Sequence, residues 1–144
     1  MSHAALGRPI EAGDRRFVAP LRAVEDVRVS PTEHGFTLHA TALIDAGEPH
    51  LRGHFPALAV YPGVFIIETV RQAVALALAV TAGAPADIVR LRSARFLAPL
   101  LAGDLLTVDA TVRSLSGDRV DVDARCTRRD GREAARVRLE MDRP

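Results

Sequence analysis

The chain has 144 residues, 48% of them hydrophobic and 26% charged, with a net charge of +1. That size suits one domain able to bury about two thirds of its unfolded surface, and the apolar fraction excludes long disorder. The near-neutral balance gives no global pull toward nucleic acid, and aromatic residues at 4% without a Trp leave few platforms for base stacking. Cys126 is the only cysteine, which excludes an internal disulfide and a multi-cysteine metal site; lying in an alternating stretch, it reads as a buried structural thiol. Met1-Ser2-His3-Ala4-Ala5 has no basic start followed by an apolar core, so no secretory signal is expected and the cytoplasm is the default compartment. Glu68, Arg71 and Gln72 interrupt the longest apolar run, so no membrane span is expected.

Residues 1 to 16 mix Gly, Pro, Ala and charge without periodicity and read as a loose arm or a short edge element of a single domain covering 1–144. A strand is expected from Leu21 to Val29, turn chemistry over Ser30-Pro31-Thr32-Glu33-His34-Gly35, and a second strand at period two from Phe36 to Ile44. After the breaker Asp45-Ala46-Gly47-Glu48-Pro49, a loop leads through His50 to Gly53-His54-Phe55-Pro56. A helix is expected from Val64 to about Val80, because Pro62 suits a helix start and Ala and Leu dominate the residues after it. Its second half, Ala73 to Val80, is apolar on every side, as in a helix enclosed by other structure. Alternation then marks strands at Ile88–Phe96, Leu105–Leu115, Arg119–Arg128 and Glu133–Met141, which short turns would join into an antiparallel meander. The fold class expected is α+β, an antiparallel sheet wrapped around one long central helix.

All 19 cationic side chains other than histidine are arginine, and Arg90, Arg92, Arg95, Arg128, Arg129 and Arg132 form a group that reads first as a solvated face. Of the five histidines, His3, His34 and His39 have bland surroundings. His50 and His54 stand at i, i+4, but the neighbouring Pro and Gly argue against the helix that metal ligation would need, and no third ligand is evident. His54 is either a loop histidine donating to a backbone carbonyl or a base poised ahead of a helix. Glu68 is either a first-turn carboxylate favoured by the helix dipole and paired with Arg71, or an acid kept protonated by Phe65, Ile66, Ile67 and Val70 around it. A neutral imidazole with a protonated carboxyl would suit loss of water from a β-hydroxyacyl compound. The open N–H of Gly63 or Val64 would meet the charge that develops on the acyl oxygen.

The segment Gly53-His54-Phe55-Pro56, continued by Val60-Tyr61-Pro62-Gly63-Val64-Phe65-Ile66-Ile67-Glu68 and Gln72, resembles the FabZ-type (3R)-hydroxyacyl-[acyl carrier protein] dehydratases of the hotdog-fold superfamily. The spacing between histidine and glutamate, 68 − 54 = 14 positions, agrees as well. Similarity extends through Glu48-Pro49 and through Ala94-Arg95-Phe96, Pro99 and Gly103-Asp104, covering about Phe17 to Met141. The resemblance implies a hotdog homodimer with its active sites at the subunit interface, where His54 works with Glu68 of the other protomer, and it allows a trimer of dimers. It implies Gly63 as holder of the thioester carbonyl and Gln72 as a supporting residue. Arg95 and Phe96 would lie near a tunnel mouth that receives the phosphopantetheine arm of an acyl carrier protein, with Phe55 and Val64 among the substrate-binding residues. No metal or redox cofactor is implied.

Departures from the family pattern stand at Ala57, Ala59 and Ala102, and at Arg71 where a small residue is usual. Arg71, if it faces the site, favours the ionised carboxylate and weakens Glu68 as an acid. The drift suggests a specialised lipid or polyketide role rather than housekeeping fatty-acid synthesis. Two other functions compete: a hotdog acyl-thioesterase with Glu68 activating water, which leaves the Gly-His-Phe-Pro loop unexplained, and a non-catalytic hotdog subunit that binds a carrier protein.

Overall fold

The computed structural model describes residues 7–10, 24–44, 61–82 and 86–142. They contain strands β1 (Arg8–Ile10), β2 (Asp26–Thr32) and β3 (Gly35–Leu43), helix α1 (Gly63–Ala82), and strands β4 (Ile88–Phe96), β5 (Leu105–Ser114), β6 (Arg119–Thr127) and β7 (Glu133–Asp142). The seven strands form one sheet in the order β1-β2-β3-β5-β6-β7-β4, antiparallel at every pairing.

Alternation places one face of this sheet against the helix. Phe36, Leu38, Ala40 and Ala42 of β3 are buried, while Thr37, His39 and Thr41 between them turn to the other face. Register then lines the apolar rows up: Phe36 faces Val112, Leu38 faces Ala110, Ala40 faces Val108 and Ala42 faces Leu106. Val122, Ala124 and Cys126 of β6 continue the same rows beyond β5. One slip of a residue would send each of these side chains into water, so burial of the helix fixes the pairing.

Helix α1 supplies the other half of the core. Ala73, Val74, Leu76, Ala77 and Leu78 are all buried, in keeping with the expected enclosure. Each fully buried Leu or Val contributes about 1.5–3 kcal/mol relative to exposure. By length and mean hydropathy the segment Gly63–Val80 is apolar enough to cross a membrane, but most of it is covered by the protein's own sheet.

Two expectations need correction. The turn expected over residues 30–35 is confined to Glu33 and His34, because β2 continues through Pro31 and Thr32, which pair with Phe36 and Gly35. Among the described residues β1 reaches only as far as Val29, so Pro31 has a strand partner there on the β3 side alone, a position where proline is tolerated. The four C-terminal strands are also not a simple meander. β5, β6 and β7 are joined as successive hairpins, whereas β4 crosses to the far edge and pairs with β7. A period of two identifies a strand but carries no information about its neighbour. Of the expected N-terminal arm, Arg8–Ile10 is a short edge strand on β2, and turns at Gly117 and Gly131 use positive φ angles of 75° and 87° that suit glycine.

Cys126 sits wholly inside the sheet-to-helix layer. Burial, and then the charges of Asp109 and Glu133, push its thiol up to about 12, so the thiolate that reacts with disulfide reagents is scarce. The native protein should therefore leave a chromogenic disulfide reagent unreacted at pH 8, with one thiol titrating on unfolding in guanidinium; fast reaction of the native protein would contradict this placement.

Candidate active site

The chain enters α1 along a fixed path. Tyr61 N–H donates to the Leu100 carbonyl at 2.7 Å, and its ring meets that of Phe65 edge-on at 5.5 Å. The Tyr61 hydroxyl and Thr69 Oγ1 share a buried hydrogen bond at 3.0 Å in which either can donate, and both reach the Phe65 carbonyl, at 3.4 and 2.9 Å. The first helical bonds run from Phe65 and Ile66 N–H to the Pro62 carbonyl, at 2.9 and 3.3 Å. Ahead of them, the N–H groups of Gly63 and Val64 have no partner among the described residues, which is the ordinary condition of a helix start and makes it an acceptor for developing negative charge.

Phe96 closes over this point. A Cβ built on Gly63 would stand 2.8 Å from the Phe96 ring, closer than real contacts allow, so glycine lets the aromatic ring lie on the helix start. Phe96 still keeps 52% of its surface exposed, and Val64 is more exposed still. Two of the expected substrate-binding residues are thus brought together. Arg95 is not, since it precedes Phe96 in a pleated strand and faces the other side, opposite Arg136.

Glu68 stands in the second turn of α1, not the first, so the dipole explanation of its presence loses its basis. Its side chain is 26% exposed and that of Arg71 only 14%. Arg71 Nε donates to Glu68 Oε1 at 2.6 Å and Nη2 to Oε2 at 2.8 Å, a two-pronged grip, while the fully buried Gln72 donates Nε2 to Oε2 at 2.7 Å. Arg71 Nη1 also lies 3.8 Å from Asp87 Oδ1. Burial by itself pushes the Glu68 carboxyl upward, but the hydrogen bonds from Arg71 and Gln72 and the Arg71 charge together outweigh it and hold the group below 4.5. Of the two readings left open for Glu68, the pairing with Arg71 is the one present: apolar neighbours desolvate the carboxyl, yet the residues three and four positions on favour its ionised form.

His54 and Phe55 lie outside the described residues, as does His50. No group of three or more His, Cys, Asp or Glu among the described residues could hold a metal ion. The sequence pattern alone assigned no role to Tyr61, Thr69 or Asp87. Tyr61, Phe65 and Thr69 do repeat at a spacing of four, a helical signal that would extend only if Tyr61 were known to stack ahead of the first turn.

One long helix enclosed by a single antiparallel sheet is the hotdog arrangement. Residues 30–136 match the family model for ApeI-like proteins, described as ApeI dehydratase. The chain belongs to this ApeI-like dehydratase family. Among curated proteins it is 37% identical over 128 residues to the 3-hydroxyacyl-[acyl-carrier-protein] dehydratase FabZ of Nitrosospira multiformis, an alignment covering 83% of this chain and 84% of that protein. It is 34% identical to the FabZ of Aliivibrio fischeri over 87 residues, or 57% of this chain; that match spans only 58% of the relative's length. Among solved structures, the dehydratase heterocomplex ApeI:P from Xenorhabdus doucetiae superposes with a TM-score of 0.66 at 16% identity, covering 89% of this chain and 86% of that one, which supports the shared fold.

The depressed Glu68 carboxyl has a sign that can be checked. A group whose folded pKa lies below its unfolded value adds stability that is present above the unfolded value, near 4.5, and lost as pH falls through the folded one. The melting temperature of the wild type should exceed that of Glu68→Gln at neutral pH, and the gap should narrow as pH falls below 4.5. A gap that widened on acidification would reverse the assignment.

Proposed function

We propose that this protein removes water from a (3R)-3-hydroxyacyl thioester carried on the phosphopantetheine of an acyl carrier protein, giving the trans-2-enoyl thioester, in fatty-acid or polyketide and specialised lipid biosynthesis. The observation that carries this reading is the Glu68–Gln72 pair on α1, five residues and so about 7.5 Å along the helix from the open N–H groups at its start. His54 takes the C2 proton as base. The Gly63 N–H receives the charge that moves onto the thioester carbonyl, and the C3–O bond breaks as Glu68 hands a proton to the departing hydroxyl. Gln72 keeps the carboxyl aimed, and Phe96 and Val64 line the approach with apolar surface that limits water. The step uses no metal or redox cofactor, and the chain works in the cytoplasm.

The active assembly is a homodimer, and the family resemblance allows three such dimers to associate through other surfaces. Support comes from β4, which among the described residues is an edge strand with β7 as its one neighbour and with exposed Val89, Leu91, Phe96 and Leu97 along it and just beyond. Such an edge invites a second strand, and a partner there would bring its own loop toward Glu68. The acyl carrier protein meets the exposed Arg90 and Arg95, whose side chains project from the faces of β4 and not from its hydrogen-bonding edge.

A thioesterase remains the second reading because an ionised carboxylate is what activation of water needs, and Glu68 is held in that form. Mass spectrometry of hydroxyacyl carrier proteins incubated with the enzyme separates the two. Loss of 18 mass units signals dehydration, whereas free thiol on the carrier signals hydrolysis. His54→Ala and Glu68→Gln should each lower enoyl formation by about a hundredfold or more while remaining folded at the assay temperature; near-normal turnover in either would sink the dehydratase reading.

Pairing across subunits has its own check. When the two inactive variants are unfolded together and refolded as a mixture, half the dimers are mixed and each regains one intact site, so about a quarter of the wild-type activity should return. No recovery from a mixture shown to exchange would place both groups within one chain.

A further inference from the structure

We propose that Arg71 is a positioning residue of this site: it grips the Glu68 carboxylate on one side, faces Asp87 on the other, and so couples the aim of Glu68 to the start of strand β4. The inference rests on the dehydratase reading for its catalytic meaning and on the geometry alone for its existence. Arg71 occupies the middle of a row of charges, negative, positive, negative. Its Nε and Nη2 reach the two oxygens of Glu68 at 2.6 and 2.8 Å, and its Nη1 lies 3.8 Å from Asp87 Oδ1. A guanidinium is a planar fork, so those two contacts fix the carboxylate plane as well as its distance, which a lysine could not do.

The Asp87 backbone is tied to β7, while its side chain, 77% exposed, makes the longer and weaker of the two contacts to Arg71. Its Oδ1 accepts the Ile88 N–H at 2.9 Å, its own N–H donates to Asp142 Oδ1 at 2.6 Å, and its carbonyl accepts the Asp142 N–H at 3.0 Å. The row therefore runs from α1 through Arg71 to the point where β4 and β7 meet. Among the described residues, the charged groups facing Glu68 are Arg71 on its own helix and, behind it, Asp87 from the start of β4; Gln72 is the neutral third partner. At 14% exposure, Arg71 is shielded from the water that weakens ordinary surface pairs.

The consequence concerns where the site's proton waits. One turnover moves a proton from C2 to His54 and another from Glu68 to the departing hydroxyl, so His54 must return a proton to Glu68 before the next. Arg71 opposes that return by favouring the carboxylate anion, and Asp87 moderates the effect by competing for the same guanidinium. Replacing Arg71 should make Glu68 take up its proton at higher pH; replacing Asp87 removes a negative charge and frees Arg71, and should have the opposite sign.

The test uses the full chain with 13C-labelled glutamate, the Glu68 carboxyl signal being assigned by its loss in Glu68→Gln. In Arg71→Ala the titration midpoint of that signal, and with it the low-pH limb of kcat/KM for dehydration, should move to higher pH; Arg71→Lys should fall between Arg71→Ala and the wild type. Asp87→Asn, at a position whose side chain is 77% exposed, should fold normally and move both to lower pH. An unchanged midpoint in folded Arg71→Ala, or in Asp87→Asn, overturns the coupling, whereas a role in folding alone would change melting and leave the midpoint in place. If the wild type dehydrates no hydroxyacyl thioester, the functional reading falls, and the carboxyl titration still decides the role of Arg71.

Discussion

A helix that is apolar on every side of its second half has no stable place in water, and covering it is the constraint on which the rest of this structure depends. Ala73 to Leu78 offers no polar face to turn outward, so the sheet must curve over it from several directions. That requirement sets the alternation of β3, β5, β6 and β7 and, through it, their register. It also explains why the first half of α1 can be different. Once the second half is held, one face of the first half can leave Glu68 and Arg71 partly exposed while Ile66, Thr69, Val70 and Gln72 stay buried, and chemistry can occur at the margin of a core that is already secure.

At that margin, two forces of opposite sign act on one carboxylate. Desolvation penalises the charged form, and the donors three and four residues further along the helix favour it. The donors win because they converge: two prongs from one guanidinium and one amide from a fully buried side chain. Charge-assisted hydrogen bonds of this kind are about twice as strong as neutral ones. With a small side chain at position 71, desolvation would face only the Gln72 amide, and the carboxyl would sit nearer to neutrality. A single substitution therefore sets how an otherwise ordinary helix carboxylate shares its proton.

Much of this was legible in the chain. The helix was bounded within about two residues by Pro62 and by the Ala-Leu run, and four strands were placed by alternation with ends displaced by one residue at most. The i, i+3 spacing of Glu68 and Arg71 already announced their pairing, and its effect on the acid role was foreseeable. What misled was the weight given to Phe65, Ile66 and Ile67. Ile66 and Ile67 adjoin Glu68 in sequence but point around the helix in other directions, so their apolar character says little about the carboxylate's own surroundings. The place of β4 was illegible for a different reason: a crossover is settled by where the far end of α1 delivers the chain, and no local pattern encodes that. His54 and the loop that bears it lie outside the described residues, so the half of the dyad most evident in sequence is the half without a geometry.

The edge position of β4 joins these points. Had the chain turned back beside β5, as a meander would, the last strand of the sheet would have been β7, whose alternate residues pack into the core. Instead the outermost strand is the one exposed along nearly its whole length, irregular at two places in its pairing with β7, and ending in the Phe96 ring that lies on Gly63. It follows directly on Asp87, beside Arg71, and ends at the helix start. Both ends of this one strand thus touch the candidate site: its beginning bears on the proton affinity of Glu68, and its end bears on access to the open N–H groups. Anything that docks along β4 is placed to be felt at both. The crossover that spoiled the expected meander is therefore also the feature that gives the site a sensitive outer wall.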